Sequence, residues 1–199
     1  MKNGNMDKIK RCAWVPENNP LYQKYHDEEW GRLVTDDRLL FEFLTLESAQ
    51  AGLSWITILR KRERYRKAFY DFDVNKVAQM TEQDVERLMQ DEGIVRNRLK
   101  IKSAISNAKL FIAIQKEFGS FYNYTLSFFT EQKPISYQPK TLKDIQASTP
   151  ESDAMSKDMK KRGFKFFGST ICYAYLQATG FVNDHLVNCI CRKQNYPSK

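Results

Sequence analysis

The chain has only two histidines, and each has a cysteine within range. Cys12 precedes His26 with thirteen residues between them, and His185 and Cys189 are four apart, so on a helix both point to one side. Brought together, the two pairs form a Cys2His2 tetrahedral set, and thiolate and imidazole are the ligands zinc prefers. Four protein ligands close the shell, so the chemistry implied is a structural staple rather than a catalytic metal. The plainer alternative is small buried cysteines and ordinary surface histidines. Cys172 lies in an apolar helical stretch and reads as core. Cys191 also lies near His185, and spacing alone leaves it open as the fourth ligand in place of Cys189.

Glu47 is the second group placed to do chemistry. Leu40, Phe43, Leu44 and Ala51 recur at helical spacing, and Glu47 falls on their face, four residues after Phe43 and four before Ala51. A buried carboxylate must be neutralised, paired or held in a cleft, because leaving it charged and alone is costly. Gly52-Leu53-Ser54-Trp55 follows directly, a helix break with two large apolar groups. Trp14, Tyr22, Tyr25 and Trp30 add aromatic density. Such spacing usually means core, and Trp30 is read so; the others, with Trp55 and Glu47, could form a slot for a flat heterocycle.

These groups need helices to hold them. Asn19-Pro20 opens a helix from Leu21 to Trp30, and Thr35 or Asp36 caps the helix bearing Glu47, with Gly52 near its end. Ser54 starts the next, which runs through the basic stretch Arg60 to Lys67, read as a solvated face, toward Phe72. Thr81 and Asp84 make a capping box, and a long helix runs from about Arg98 to Phe118, ended by Gly119. Ser120 caps a helix through Phe129, Thr149-Pro150 starts one that ends at Gly163, and Ser169 starts the last, to Gly180. Residues 131–138 read as a loop. No segment alternates long enough for a strand, so the fold class is all-α. Between Leu88 and Lys100, a helix, a turn with Gly93 and a basic second helix outline a helix-hairpin-helix, in which turn amides and a side chain such as Arg96 meet a DNA phosphate. An ordinary helical hairpin is the commoner structure, and the usual Gly-x-Gly is missing.

Composition sets bounds. At 199 residues and 42% hydrophobic the chain supports one compact domain, and no apolar run approaches the ~20 residues that span a bilayer. The first residues lack a signal-peptide core, which points to the cytoplasm and reduced thiols. A net charge of +8 favours a polyanionic partner.

Four separated segments resemble the 3-methyladenine DNA glycosylase I family: Tyr25-His26-Asp27-Glu28-Glu29-Trp30-Gly31, Leu46-Glu47 with Gln50 to Thr57, Lys161 to Phe166, and Val182-Asn183-Asp184-His185. The resemblance runs from about Arg11 to Cys189. It implies an all-α member of the helix-hairpin-helix glycosylase superfamily whose chain ends are joined by structural zinc on Cys12, His26, His185 and Cys189. It also implies excision of N3-methyladenine from alkylated double-stranded DNA by base flipping and hydrolysis without strand cleavage, with free 3-methyladenine as product. Glu47 becomes the candidate catalytic residue, expected to read the base edge rather than activate water. Tyr25 and Trp55, with Trp14 and Tyr22 beside them, would contact the base. Gly52 and Leu53 would fill the gap in the duplex, and Gly93 and Arg96 would hold its backbone.

Two departures stand out. The spacing from Cys12 to His26 is one residue longer than the family's, and Ser48 and Ala49 replace Gly or Gln found in some members. The superfamily's catalytic Asp has no counterpart here. The expected layout is an extension over residues 1–10 that need not be ordered, one domain over 11–191 and a tail over 192–199, in a monomer of the bacterial cytoplasm, on the nucleoid when bound to DNA and never on a membrane. The competing readings are a non-catalytic zinc-stabilised DNA-binding domain, a redox or metal sensor, and an inactive homologue.

Overall fold

The computed structural model describes residues 10–192, so the extension and the tail, apart from Lys10 and Arg192, lie outside the described residues. Local signals set most helix starts. Asn19 caps α1 (Pro20–Glu28) by accepting from the Tyr22 N–H, and Asp36 caps α2 (Asp37–Gln50) through Leu39. Ser54 precedes α3 (Trp55–Ala68), and Asp73 caps the short α4 (Val74–Ala78). The Thr81–Asp84 capping box opens α5 (Glu82–Met89), and Asn97 caps α6 (Arg98–Phe118), which Gly119 ends at φ 83°. Ser120 caps α7 (Phe121–Leu126), Thr149 opens α8 (Pro150–Arg162), and Gly168 precedes α9 (Ser169–Ala178).

α2 is the axis of the molecule. It packs against α3, α6, α7 and α9, and every residue from Leu40 to Ala49 is buried. The single apolar stripe expected for this helix is therefore a correction: a helix walled on all sides has no solvent face. Glu42 is as enclosed as Glu47, at 0% and 3% exposed. No helix among the described residues is long and apolar enough to cross a membrane.

Four further differences have local causes. Inside the segment read as loop, the two-residue strand β1 (Ile135–Ser136) pairs in parallel with β2 (Val182–Asn183), which follows α9. They are too short for alternation to register, so the fold is mostly helical rather than purely so. The helix expected to reach Phe72 stops at Ala68, and Tyr70 to Phe72 turn with φ of 52° to 56°. Such a left-handed turn costs roughly 1–2 kcal/mol per residue, and full burial of Phe72 offsets part of it. α4 went unpredicted because five residues carry too little periodicity. α7 ends three residues early, where the Ser127 N–H turns back onto Asn123 and Tyr124.

The two ends of the described chain meet. The Ile190 N–H donates to the Lys10 carbonyl at 3.0 Å, which brings the segment after β2 against the segment before α1. Gly180, at φ 76°, lets the end of α9 lie on the Arg32–Leu33 backbone; a Cβ there would sit 2.3 Å from the Arg32 carbonyl carbon.

Candidate functional site

A cavity of about 270 Å³ opens between the start of the chain, α1, α2, α3 and α9. Its walls include Trp14, Tyr22, Tyr25, Glu47 and Trp55, so all five residues proposed from sequence to handle a base share one cavity. The Tyr25 and Trp55 rings are 5.4 Å apart and tilted by 46°, and Trp14 lies 5.4 Å from Tyr22 and 5.0 Å from Trp30. Trp30, read as core, is buried and also forms part of the wall. Sequence reasoning missed Gln50, Ile145, Ala174 and Gln177, the last two from α9. Only the packing of α9 on α2 brings in Ala174 and Gln177, whereas Gln50 stands three residues after Glu47 on α2, a spacing that could have found it. Ser48 and Ala49, where the sequence departs from some relatives, face a different cleft beside α6.

Glu47 is the electrostatic anomaly of this cavity. Its Oε2 is buried with no hydrogen-bond partner in the protein, and so is the Trp55 Nε1. One carboxyl oxygen and one ring N–H of cavity-lining residues are thus unsatisfied, each at a cost of about 1–3 kcal/mol. Burial pushes the Glu47 carboxyl up to about 8. The Tyr25 hydroxyl is raised as well, first by burial and then by the nearby Glu47.

Glu42 resolves its burial differently, through one oxygen, although its Oε2 is also without a hydrogen-bond partner. Its Oε1 accepts from Arg62 Nε at 2.6 Å and Arg66 Nε at 2.9 Å, while Arg62 Nη1 reaches Glu29 at 2.6 Å. The basic stretch of α3 is therefore not simply solvated, because Arg62 and Arg66, four apart, face α2. The network welds together α1, α2 and α3, the helices that carry Tyr25, Glu47 and Trp55. Arg62→Met is expected to cost ~3 kcal/mol or more in urea unfolding, because Glu29 and Glu42 lose a shared cation. Replacing both Glu42 and Arg62 by apolar residues should cost less.

Behind the aromatic wall, Cys12, His26, His185 and Cys189 are all buried, with ligand atoms within 4.8 Å of one another. His26 directs Nδ1 to Asp27 at 2.7 Å, and Arg11 grips the same carboxylate. A carboxylate only accepts, so His26 donates from Nδ1 and turns the Nε2 lone pair inward. His185 donates from Nε2 to the Trp30 carbonyl at 3.0 Å, leaving Nδ1 to face the two thiols. This cluster could hold a metal ion. Cys191 lies 3.8 Å from His26 Nδ1, on the outer side of the ring beside Asp27.

Gly52 (φ 79°) and Leu53 (40% exposed) project at the end of α2. In the connection between α5 and α6, the Gly93 N–H donates to Asp91, which also pairs with Arg64. Exposed Arg96 lies 3.7 Å from Glu92. Asn97 satisfies the Lys100 N–H, so the α6 terminus leaves the Arg98 and Leu99 amides without an intrahelical acceptor.

A family model described as methyladenine glycosylase matches residues 14–193. The chain is 51% identical over 189 residues to DNA-3-methyladenine glycosylase 1 of Escherichia coli (strain K12), spanning 95% of this chain and 100% of that one. It is 46% identical over 182 residues to DNA-3-methyladenine glycosylase of Haemophilus influenzae, spanning 92% and 97%. A solved structure on 3-methyladenine recognition by 3-methyladenine DNA glycosylase I from Staphylococcus aureus superposes with a TM-score of 0.88 at 39% identity, over 92% of this chain and 97% of that one.

Proposed function

The chain belongs to the methyladenine glycosylase family, and from that premise we propose that it removes N3-methyladenine from alkylated DNA, the first step of base excision repair. The enzyme hydrolyses the N-glycosidic bond: water adds to the sugar C1′, the base departs, and the strand stays intact. The observation that carries this reading is the unpartnered, buried Glu47 carboxyl inside an aromatic cavity.

Each part follows from substrate chemistry. Methylation at N3 makes adenine cationic and a good leaving group, so the protein must mainly flip, hold and orient it. Unstacking a damaged base costs a few kcal/mol or less. Tyr25 and Trp55 offer aromatic surface to the flipped base, with Trp14 and Tyr22 closing the slot. Glu47 accepts hydrogen bonds from its edge, and the cation favours the carboxylate form that burial alone disfavours. Leu53, raised on Gly52, fills the gap left in the duplex. The turn around Gly93 and Arg96, with the first amides of α6, holds the backbone as a helix-hairpin-helix does.

The four-residue cluster would hold structural zinc. A tetrahedral zinc at ~2.3 Å from sulfur and ~2.0–2.1 Å from nitrogen spaces the two by about 3.6 Å. The separations of 3.4, 3.4 and 3.5 Å between thiols and inward ring nitrogens fit that edge. Zinc would supply folding free energy here, with Cys12, His26, His185 and Cys189 fastening the chain ends into one glycosylase domain. The protein works as a monomer in the bacterial cytoplasm on double-stranded DNA.

Incubation with methylated duplex and chromatography of the released bases is the test. The expected product is 3-methyladenine, with strand breaks only after alkali. A non-catalytic zinc-stabilised DNA-binding domain would retain DNA and release no base; it leaves a carboxyl buried without a partner unexplained.

A further inference from the structure

Lys100 stands on the first turn of α6, and its half-buried side chain crosses to the far end of α2. There Nζ donates to two backbone carbonyls, Ala49 at 2.8 Å and Ala51 at 2.5 Å. The four carbonyls from Ser48 to Ala51 divide evenly. Ser48 accepts from the Ala51 N–H and Gln50 from the Leu53 N–H, while Ala49 and Ala51 depend on Lys100. A cation at a helix C-terminus also meets the negative end of its dipole. Beyond these bonds the turn is loosely held: a Cβ on Gly52 would touch nothing within 4 Å, and Leu53 is exposed. Burial lowers the Lys100 ammonium from its ordinary range, a cost set against this contact.

We propose that Lys100 is a positioning residue, which locks the Gly52–Leu53 turn to the N-terminus of α6 so that backbone grip and duplex-filling side chain move as one body. The idea rests on the reading of Leu53 as the residue that fills the duplex. A phosphate held at the first amides of α6 fixes that helix on the DNA, and the ammonium two residues on then fixes where Leu53 enters. Without the lock, Leu53 meets the base stack in many orientations, and misplacement of about 1 Å is enough to cost roughly 100-fold in rate.

Single-turnover excision from duplex and from single-stranded N3-methyladenine DNA tests this, with binding of free 3-methyladenine measured on the same proteins. Lys100→Met should slow excision from duplex by roughly 10- to 100-fold. Excision from single strands and affinity for the free base should change by no more than about twofold, because neither requires a filled gap. Lys100→Arg, which keeps a cationic donor, should recover most of the duplex rate. Leu53→Ala should be slow on duplex, and adding Lys100→Met should slow it little further.

An unchanged duplex rate in Lys100→Met alongside a slow Leu53→Ala overturns the positioning role alone. Equal losses on duplex, single strand and free base would mean that Lys100 shapes the cavity instead. A Leu53→Ala protein as fast as wild type removes the reading of Leu53 and the proposal with it. If Lys100→Met does not fold, Lys100→Gln, which is uncharged and one bond too short to reach both carbonyls, must show the same duplex-only loss for the proposal to stand.

Discussion

Glu47→Gln is expected to weaken binding of free 3-methyladenine by about 10- to 100-fold, the usual worth of a hydrogen bond to a charged group. The side chain keeps its size, so the loss isolates the charge and the acceptor. Calorimetric titration of the base against both proteins measures it. Unchanged binding with abolished excision would assign Glu47 to the chemical step instead. Its pH dependence is a second signature, since the carboxyl titrates near 8 in the folded protein. A cationic base that binds the carboxylate form releases a proton below that pH. Affinity for the cationic base still joined to its sugar, measured on N3-methyladenine DNA, should therefore rise with pH by up to about tenfold per unit and level off above 8. The released base, which departs neutral, should show no such rise.

The same group makes stability depend on pH. Between the ordinary carboxylate range and about pH 8 the folded state keeps a proton at Glu47 that the unfolded chain has lost. Stability must therefore fall as pH rises through that window. Glu47→Gln removes this decline and should be more stable than wild type near pH 8, by on the order of a few kcal/mol. A residue that destabilises its own fold while facing a cavity fits selection for binding rather than packing.

Removing the proposed zinc should have the larger effect on stability. The four ligands come from the N-terminal segment, α1 and the segment after β2, so their loss unfastens both ends of the chain. Cys12→Ala, or prolonged exposure to a strong chelator, should cost on the order of 5 kcal/mol and lower Tm by about 10–20 °C. Metal analysis should find one zinc per wild-type chain and none in the variant. The damage should reach the cavity, because Trp14 packs 5.2 Å from His26 and Trp30 packs 4.7 Å from His185. Loss of free-base affinity on chelation, restored by zinc, is the expected companion result. A chain that melts unchanged without metal would make the four residues an ordinary buried cluster.

Much of this was legible in the sequence, for identifiable reasons. Capping residues at Asn19, Asp36, Thr81 and Thr149 announce their helices locally, and the ends at Gly119 and Gly163 follow from backbone freedom. Glu47 stood out because its charge broke an apolar stripe. That argument was only half right, since Glu42 on the same helix is equally buried and is answered by Arg62 and Arg66 on α3. Distinguishing a paired carboxylate from an unpaired one needs three dimensions. Gln177 and Lys100 stayed hidden for the same reason: each acts across a contact between helices far apart in sequence, where no local pattern is written.

The most direct test sets wild type beside Glu47→Ala on duplex DNA containing N3-methyladenine and measures released base against time. Wild type should release 3-methyladenine, and the variant should be slower by about 10- to 100-fold, since its cavity keeps the aromatic walls and loses the acceptor. Equal release by the two proteins would contradict the account, because the cavity around Glu47 would then not be where the base is read.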